Sequence, residues 1–335
     1  MPYTLDDIRQ WDDISGEYFP QPRPNNAVLL VGNGASIAVD TCFDYEALKD
    51  RAEFTKMQSR LFTEVGTSNF ETVLNRLEIA SSICDIHGLE CETLRQNYQA
   101  IRQSLIIAVG ASHVQRDRFH APTDLAQYMI QHPEIYSLNY DLLIYWTLAS
   151  QGCFNNNQIV DCFPGLVFDE EFDAENSSKL YYLHGALHLY IEDGRCKKRR
   201  SRLGEGLLSQ IGLDRVGRPP HFVCEGSFNS KTAFIDGSPY LRIALARFKK
   251  TRLKLVCFGF SFDEAQDGHI IAAINNSVSE RVAVSVFVGH AEDECIKFMN
   301  RIRGVIRHQV EIDFFDSASH PLGGGNHYHL ELRNA

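Results

Sequence analysis

The sequence predicts an α/β protein built on a doubly wound parallel sheet. The first observation is a set of short apolar runs without polar alternation, Ala27-Val28-Leu29-Leu30-Val31 and Lys254-Leu255-Val256-Cys257-Phe258 being the clearest. Continuous apolar runs of this length are strands buried on both faces, as in parallel sheets. The second is that segments with helical spacing of apolar residues alternate with these runs, which places helices on both faces of the sheet. The third is that several runs end in small or polar residues, at the strand ends where open α/β sheets bind ligands.

Taken in order, residues 1 to 25 are polar and proline-spotted, with Trp11, Tyr18 and Phe19. They read as a surface arm with one short helix over Leu5 to Asp12. After the first strand, Tyr45 to Val65 has a rough apolar stripe and reads as one helix. Asn69 to Cys84 is a second, with Ser68 or Asn69 as its cap, and Cys91 to His113 a third. Thr123 to His132 leads back to a short strand, Ile135 to Leu138, and then to the helix Leu142 to Ala149. Leu180 to Leu183 is the next strand. Ala186 to Ile191 continues as β, and Glu192-Asp193-Gly194 signals a hairpin turn. His221 to Cys224 is a short strand and Pro239 to Lys249 a helix with proline in its first turn. The strand from Lys254 is followed by a helix over Ala265 to Val278, a strand over Arg281 to Val288, a helix over Glu292 to Ile302 and a last strand over Val310 to Phe314.

This order predicts one domain, a Rossmann-like core over about 27–44, 133–185 and 220–316. A helical insertion after the first strand covers about 45–132, and a small β-hairpin and loop insertion about 186–219.

Composition narrows the function. The chain has 335 residues, 44% of them hydrophobic, and a net charge of −10. An acidic protein of this kind is not a general nucleic-acid binder. Only the stretch Lys197-Lys198-Arg199-Arg200-Ser201-Arg202 offers local phosphate contacts, and a solvated edge is its plainer reading. No apolar run approaches the length of a membrane span, and the first residues form no secretory signal. The nine cysteines are scattered without any Cys-x-x-Cys pair. That pattern fits reduced thiols in a cytoplasmic protein and no zinc ribbon.

The candidate site residues lie at four strand ends. Gly32-Asn33-Gly34-Ala35-Ser36 has the glycines of a dinucleotide loop, with backbone N–H groups available to a diphosphate, although Ile37 replaces the third glycine and an ordinary tight turn accounts for the same residues. Asn139-Tyr140-Asp141 follows the second strand, and Asp141 also suits a helix cap. His184-Gly185 follows the third, where a satisfied structural histidine is the commoner case. Gly259-Phe260-Ser261 follows the strand from Lys254. Glu71 and Glu78, seven apart on one helix face, fit catalytic carboxylates less well than a solvated face. His320, His327 and His329 lack a carboxylate or cysteine to complete a metal set, and a flexible loop near the C-terminus suits them better.

These four strand ends, in this order, resemble the sirtuin superfamily over about residues 27 to 290. Phe222-Val223-Cys224-Glu225-Gly226-Ser227 and Asp267-Gly268-His269-Ile270-Ile271 look like a bacterial, zinc-less branch of sirtuin-like proteins. The zinc ribbon of protein-deacylating sirtuins is missing, and Phe43-Asp44-Tyr45 is a poor match to their Pro-Asp-Phe-Arg segment. The resemblance implies an NAD glycohydrolase acting in defence against phage, with NAD as substrate and no zinc. In that chemistry Gly32, Asn33, Gly34, Ala35 and Ser36 hold the diphosphate, and Gly259 and Ser261 close on a phosphate or the adenosine ribose. Asn139 positions water or ribose, and Asp141 meets the carboxamide or the developing cation. His184, titrating near neutral pH, is the base. Gating by self-assembly or by a partner protein, an ATPase or nuclease, is expected. Two alternatives are kept: a non-enzymatic NAD- or nucleotide-sensing module, and a protein deacylase or ADP-ribosyl transferase.

Overall fold

A computed structural model describes residues 3–20, 26–113, 119–172, 176–200, 207–208, 218–224, 228–278, 280–323 and 329–330. Eight strands form one sheet: β1 (Ile8–Arg9), β2 (Ala27–Val31), β3 (Glu134–Ser137), β4 (Ile159–Val160), β5 (Ser178–Tyr182), β6 (Lys254–Phe258), β7 (Arg281–Val286) and β8 (Glu311–Asp316). Their order across the sheet is β1-β8-β7-β6-β2-β3-β5-β4, and every neighbouring pair is parallel. From β2 the chain builds outward through β3, then returns to β6 on the other side of β2. That reversal is the topological switch where such sheets open a crevice at their carboxyl ends.

Register brings the four predicted strand ends to one level. Val31 is paired with Phe258 on one side and Ser137 on the other, and Ser137 with Tyr182. Gly32, Gly259, Leu138 and Leu183 therefore leave the sheet side by side. The side chains of β2 are wholly buried, as its unbroken apolar run requires.

The helices are α1 (Trp11–Tyr18), α2 (Gly34–Val39), α3 (Tyr45–Arg51), α4 (Lys56–Val65), α5 (Phe70–Ile86), α6 (Glu92–Ser112), α7 (Thr123–Met129), α8 (Leu143–Ser150), α9 (Phe228–Gly237), α10 (Pro239–Lys250), α11 (Glu264–Ser277) and α12 (Glu292–Val305). One apolar core surrounds the sheet. A second joins α4, α5 and α6 to Leu142, Trp146, Leu187 and Phe222, so the helical insertion and the start of the hairpin region share a core with α8. The side chains of α7 belong to the sheet core instead.

Several expectations are corrected. The N-terminal segment is not a surface arm. Ile8–Arg9 adds an edge strand to β8, Trp11 packs its ring 4.9 Å from Phe315 and 4.6 Å from His320, and the Tyr18 hydroxyl donates to Asp313 at 2.7 Å. The predicted Tyr45–Val65 helix is two helices. Thr55 starts α4 with a reciprocal cap to Gln58, while Phe54 turns in against Phe62 and Phe70. The strand predicted to continue from Ala186 to Ile191 is interrupted: Gly185–Ala186 pairs with His221–Phe222, and Leu189–Glu192 with Arg195–Lys198. Edge strand β4 and helix α9 carried too little periodicity to be foreseen.

His320 does not sit in a flexible tail. It is buried, with Nε2 2.7 Å from the Tyr128 hydroxyl. The side chains of His327 and His329 lie outside the described residues. The nine cysteines are free thiols, and no described helix is long and apolar enough to cross a membrane.

Burial keeps several structural histidines neutral. It lowers His113 to about 3 and His132 and His221 to about 4, and holds His320 well below 6.5. His132 contacts the Ala27 carbonyl through Nδ1 at 2.9 Å, and His113 accepts the Leu142 N–H at 2.8 Å. The folded pKa of each is depressed below the unfolded value, so the unfolded chain binds the extra protons. Stability is then complete above about pH 6.5 and falls as pH drops toward 4, each histidine contributing up to about 1.4 kcal/mol per pH unit. Urea unfolding at pH 7.5, 6 and 5 is expected to show a midpoint that falls steeply below pH 6.5. A flat profile would contradict this.

Candidate functional site

The floor at the strand ends is built from glycine. Gly32 N–H donates to the Phe258 carbonyl at 2.8 Å and Gly34 N–H to the Gly259 carbonyl at 2.9 Å. A Cβ on Gly34 would lie 2.6 Å from Gly259 Cα, and one on Gly259, at φ +68°, 2.6 Å from the Ala35 nitrogen. Only glycine permits two loops to touch backbone to backbone here. The same contacts alter the expected use of the loop. Besides Gly34, the Ala35 and Ser36 N–H groups donate to the Gly32 and Asn33 carbonyls, so these three donors are already engaged. Asn33 turns its side-chain amide to the Phe43 carbonyl at 3.2 Å.

Three predicted residues meet above this floor. The Asn139 side chain donates to Ser36 Oγ at 2.8 Å. Ser36 Oγ in turn donates to Asp141 Oδ2. The other Asp141 oxygen accepts the Leu143 N–H at 2.9 Å, at the first residue of α8, which is the helix-start role that the sequence suggested for it. Burial raises the Asp141 pKa against these stabilising hydrogen bonds. Asn139 is buried, and its Oδ1 has no partner. Ser261 is not part of this network. It is exposed at the start of a turn, its hydroxyl accepting the Asp263 N–H at 3.3 Å.

His184 belongs to a second network. Its Nε2 is 2.9 Å from Nε2 of His269 and 3.9 Å from Asp267 Oδ1. Asp267 also accepts from Lys231 at 3.2 Å, and Lys231 donates to Glu71 at 2.7 Å. Lys231 is completely buried. Burial opposes its charge, but Glu71 and Asp267 outweigh burial and raise its pKa. Asp267 is pushed up to about 6 by burial, against Lys231. Burial, His269 and Lys231 together hold His184 well below the usual histidine range, and His269 falls to about 3 for the same kind of reason. His184 is thus neutral, and its expected titration near pH 7 is corrected. His184, Asp267 and His269 also form a group compact enough for a metal ion, but the Lys231 ammonium already occupies the Asp267 carboxylate, which disfavours a second cation there.

Tyr140 ties the two networks together. It lies between Asn139 and Asp141 in the chain, stacks on Phe222 at 4.6 Å, and hydrogen-bonds Tyr45, beside Glu71 and Asp267.

The face of α5 carrying Glu71, Thr72, Asn75 and Glu78 turns toward α9 and α11. Glu71 holds Lys231, Thr72 accepts from Gln266 at 3.2 Å, and Glu78 pairs with Ser230. The spacing is one helix face, and it is covered rather than solvated as the sequence suggested. Along it and beside it, buried acceptor atoms have no donor: Asn75 Oδ1, Glu78 Oε2 and Gln266 Oε1, with Asn139 Oδ1 at the strand end. Buried polar atoms are normally satisfied by protein, water or ligand. Sequence reasoning missed Lys231 entirely, because a lone lysine in an amphipathic helix carries no signal of burial.

A family model described as a domain of unknown function, DUF4917, matches residues 29–322. No curated protein matches the chain.

Two substitutions test this geometry. Lys231→Ala leaves two buried carboxylates without their cation and is expected to destabilise the fold by about 3–5 kcal/mol. Gly259→Ala combines a left-handed backbone with a backbone clash and is expected to cost about 1–3 kcal/mol or more. Wild-type urea midpoints in both variants would contradict the assignments.

Proposed function

This chain belongs to the DUF4917 family, and we propose that its strand-end site binds NAD and hydrolyses the nicotinamide N-glycosidic bond. Water and NAD give ADP-ribose, nicotinamide and a proton. The observation that carries the reading is the set of buried acceptors without donors on α5, α11 and Asn139. A ligand rich in hydroxyl donors satisfies such a surface, and NAD brings two riboses and a carboxamide NH2.

The roles follow from chemistry. Departure of nicotinamide leaves an oxocarbenium-like ribose, and buried Asp141 is the negative group available to stabilise it, the Asp267 carboxylate being taken up by Lys231. Asn139, fixed by Ser36, orients the ribose or the attacking water. Neutral His184 accepts the proton, with His269 and Asp267 behind it, and such base catalysis is worth roughly 10²- to 10⁴-fold. Since the loop N–H groups of Gly34, Ala35 and Ser36 are engaged, the glycines serve to bring the two loops together rather than to supply all the diphosphate donors. An enzyme of this kind depletes its own cell of NAD. The reading therefore includes gating, by self-assembly or a partner protein, and the role in defence against phage that the sirtuin resemblance implies.

The depressed pKa of His184 favours one alternative, a nucleotide-sensing module that binds NAD without turnover, because a strongly desolvated histidine is a weak base. Following nicotinamide release separates the two. Wild type is expected to release nicotinamide, and His184→Ala and Asn139→Ala to lower the rate by at least about 10²-fold while keeping the wild-type circular dichroism. Saturable binding without release supports the sensor. Neither binding nor release would refute the site.

A further inference from the structure

The basic run after the hairpin is not a free surface. Lys198 is largely buried and paired with Asp161, and Arg199 stacks its guanidinium 5.0 Å over Tyr190 and donates to the Arg218 carbonyl. The solvated basic edge expected from sequence is therefore corrected for Lys198 and Arg199. Ser201 and Arg202 lie outside the described residues. The surface that stands open is apolar and belongs to the helical insertion.

Helices α5 and α6 follow each other through a short turn and pack together. In α5 the buried side chains end at Leu77, and in α6 they begin at Ile101, so the outer half of this hairpin adds little to the core. On that half Ile79, Ile83 and Ile86 are exposed, Ile86 by 81%, and Leu89 stands exposed just beyond. Steps of four and three put the isoleucines on one helix face, away from half-buried Ala80, Ser81 and Cys84. Single exposed apolar residues are ordinary, whereas a contiguous group marks an interaction surface. Isoleucine is also a poorer helix former than the leucine, lysine or glutamate that suit a solvated position, so nothing within the chain calls for this stripe.

Charge identifies what covers it. Arg76 stands exposed one turn before Ile79, on the same face. At the other end Gly88, at φ +64°, closes the helix, and the Leu89 N–H donates to the Cys84 carbonyl at 2.8 Å. Glu90 follows, exposed, its carboxylate accepting the Glu92 N–H at 2.8 Å. Neither Arg76 nor Glu90 has an ion-pair partner among the described residues. The stripe is thus basic at its start, acidic at its end and apolar between, with near-symmetric spacing about Ile83. A second copy laid antiparallel brings acid over base at both ends and isoleucine onto isoleucine in the middle, a self-complementary two-fold contact. A parallel pair would set like charges side by side.

We propose that the exposed stripe of α5 is the contact of a homodimer, in which two copies pair these helices antiparallel about a two-fold axis near Ile83. The inner turns of the same helix carry Glu71, Thr72 and Glu78 against α9 and α11, so pairing bears on a wall of the candidate site. The dimer stands without the NAD reading, to which it would supply the expected self-assembly.

The test is sedimentation velocity of the full-length protein over a range of concentrations, with circular dichroism to show that each variant is folded. Wild type is expected to dimerise. Ile83→Glu sets two carboxylates against each other at the axis and is expected to weaken the dimer by about 10²-fold or more, and Arg76→Glu by about tenfold or more. Adding Glu90→Arg to Arg76→Glu is expected to restore it. Ile107→Glu, which changes an exposed isoleucine of α6 outside the stripe, is expected to leave it intact. A wild type that stays monomeric at every concentration overturns the proposal. So does a dimer that Ile83→Glu leaves intact, that Ile107→Glu dissociates equally, or whose loss in Arg76→Glu is not reversed by Glu90→Arg. None of these outcomes touches the nicotinamide-release test of the strand-end site.

Discussion

A lysine ammonium with no exposure to water is the constraint on which the candidate site rests. Transfer of such a charge out of water is prohibitive unless carboxylates surround it, and here they come from two different helices. Glu71 belongs to the insertion and Asp267 to the core, while Lys231 itself stands on α9. The ion cluster therefore holds α5, α9 and α11 at one distance from each other and sets the position of His269, two residues after Asp267, against His184. The insertion is not an appendage in this sense. Without α5 the buried ammonium would keep only Asp267 as its counter-charge.

The sheet supplies the other half of the site. Because β2, β3, β5 and β6 end in register, four loops leave at one level, and the close contact of Gly34 with Gly259 makes a floor that no side chain could occupy. Asn139, Ser36 and Asp141 stand on that floor as a hydrogen-bonded chain. Within this construction Asn139 Oδ1 is buried without a donor, a local inconsistency of the kind that proteins keep at functional positions.

Most of the sheet was legible because its strands are buried on both faces and so appear as unbroken apolar runs bounded by glycine. The strand ends at Gly32, Asn139, His184 and Gly259 were legible for the same reason. What escaped were elements whose signal is tertiary. β1 is two residues long and exists because Arg9 and Tyr18 find Asp313. β4 is equally short. Glu71 looks like any helix carboxylate until Lys231, far away in sequence, is brought against it. The titration of His184 is not legible in the sequence because sequence does not reveal burial, and burial lowers this imidazole more than any neighbour does. The basic run after the hairpin looked solvated because Asp161, the partner of Lys198, is distant in the chain.

In the proposed NAD reading, the buried acceptors without donors, Asn139 Oδ1 among them, receive the hydroxyl groups of a ribose. Calorimetric titration of the His184→Ala protein, with wild type beside it, compares NAD with an NAD analogue whose nicotinamide ribose lacks its 2′- and 3′-hydroxyls. Leaving buried acceptors unsatisfied costs about 1–3 kcal/mol each, so the analogue is expected to bind at least about tenfold more weakly than NAD. Equal affinities for the two would contradict the account.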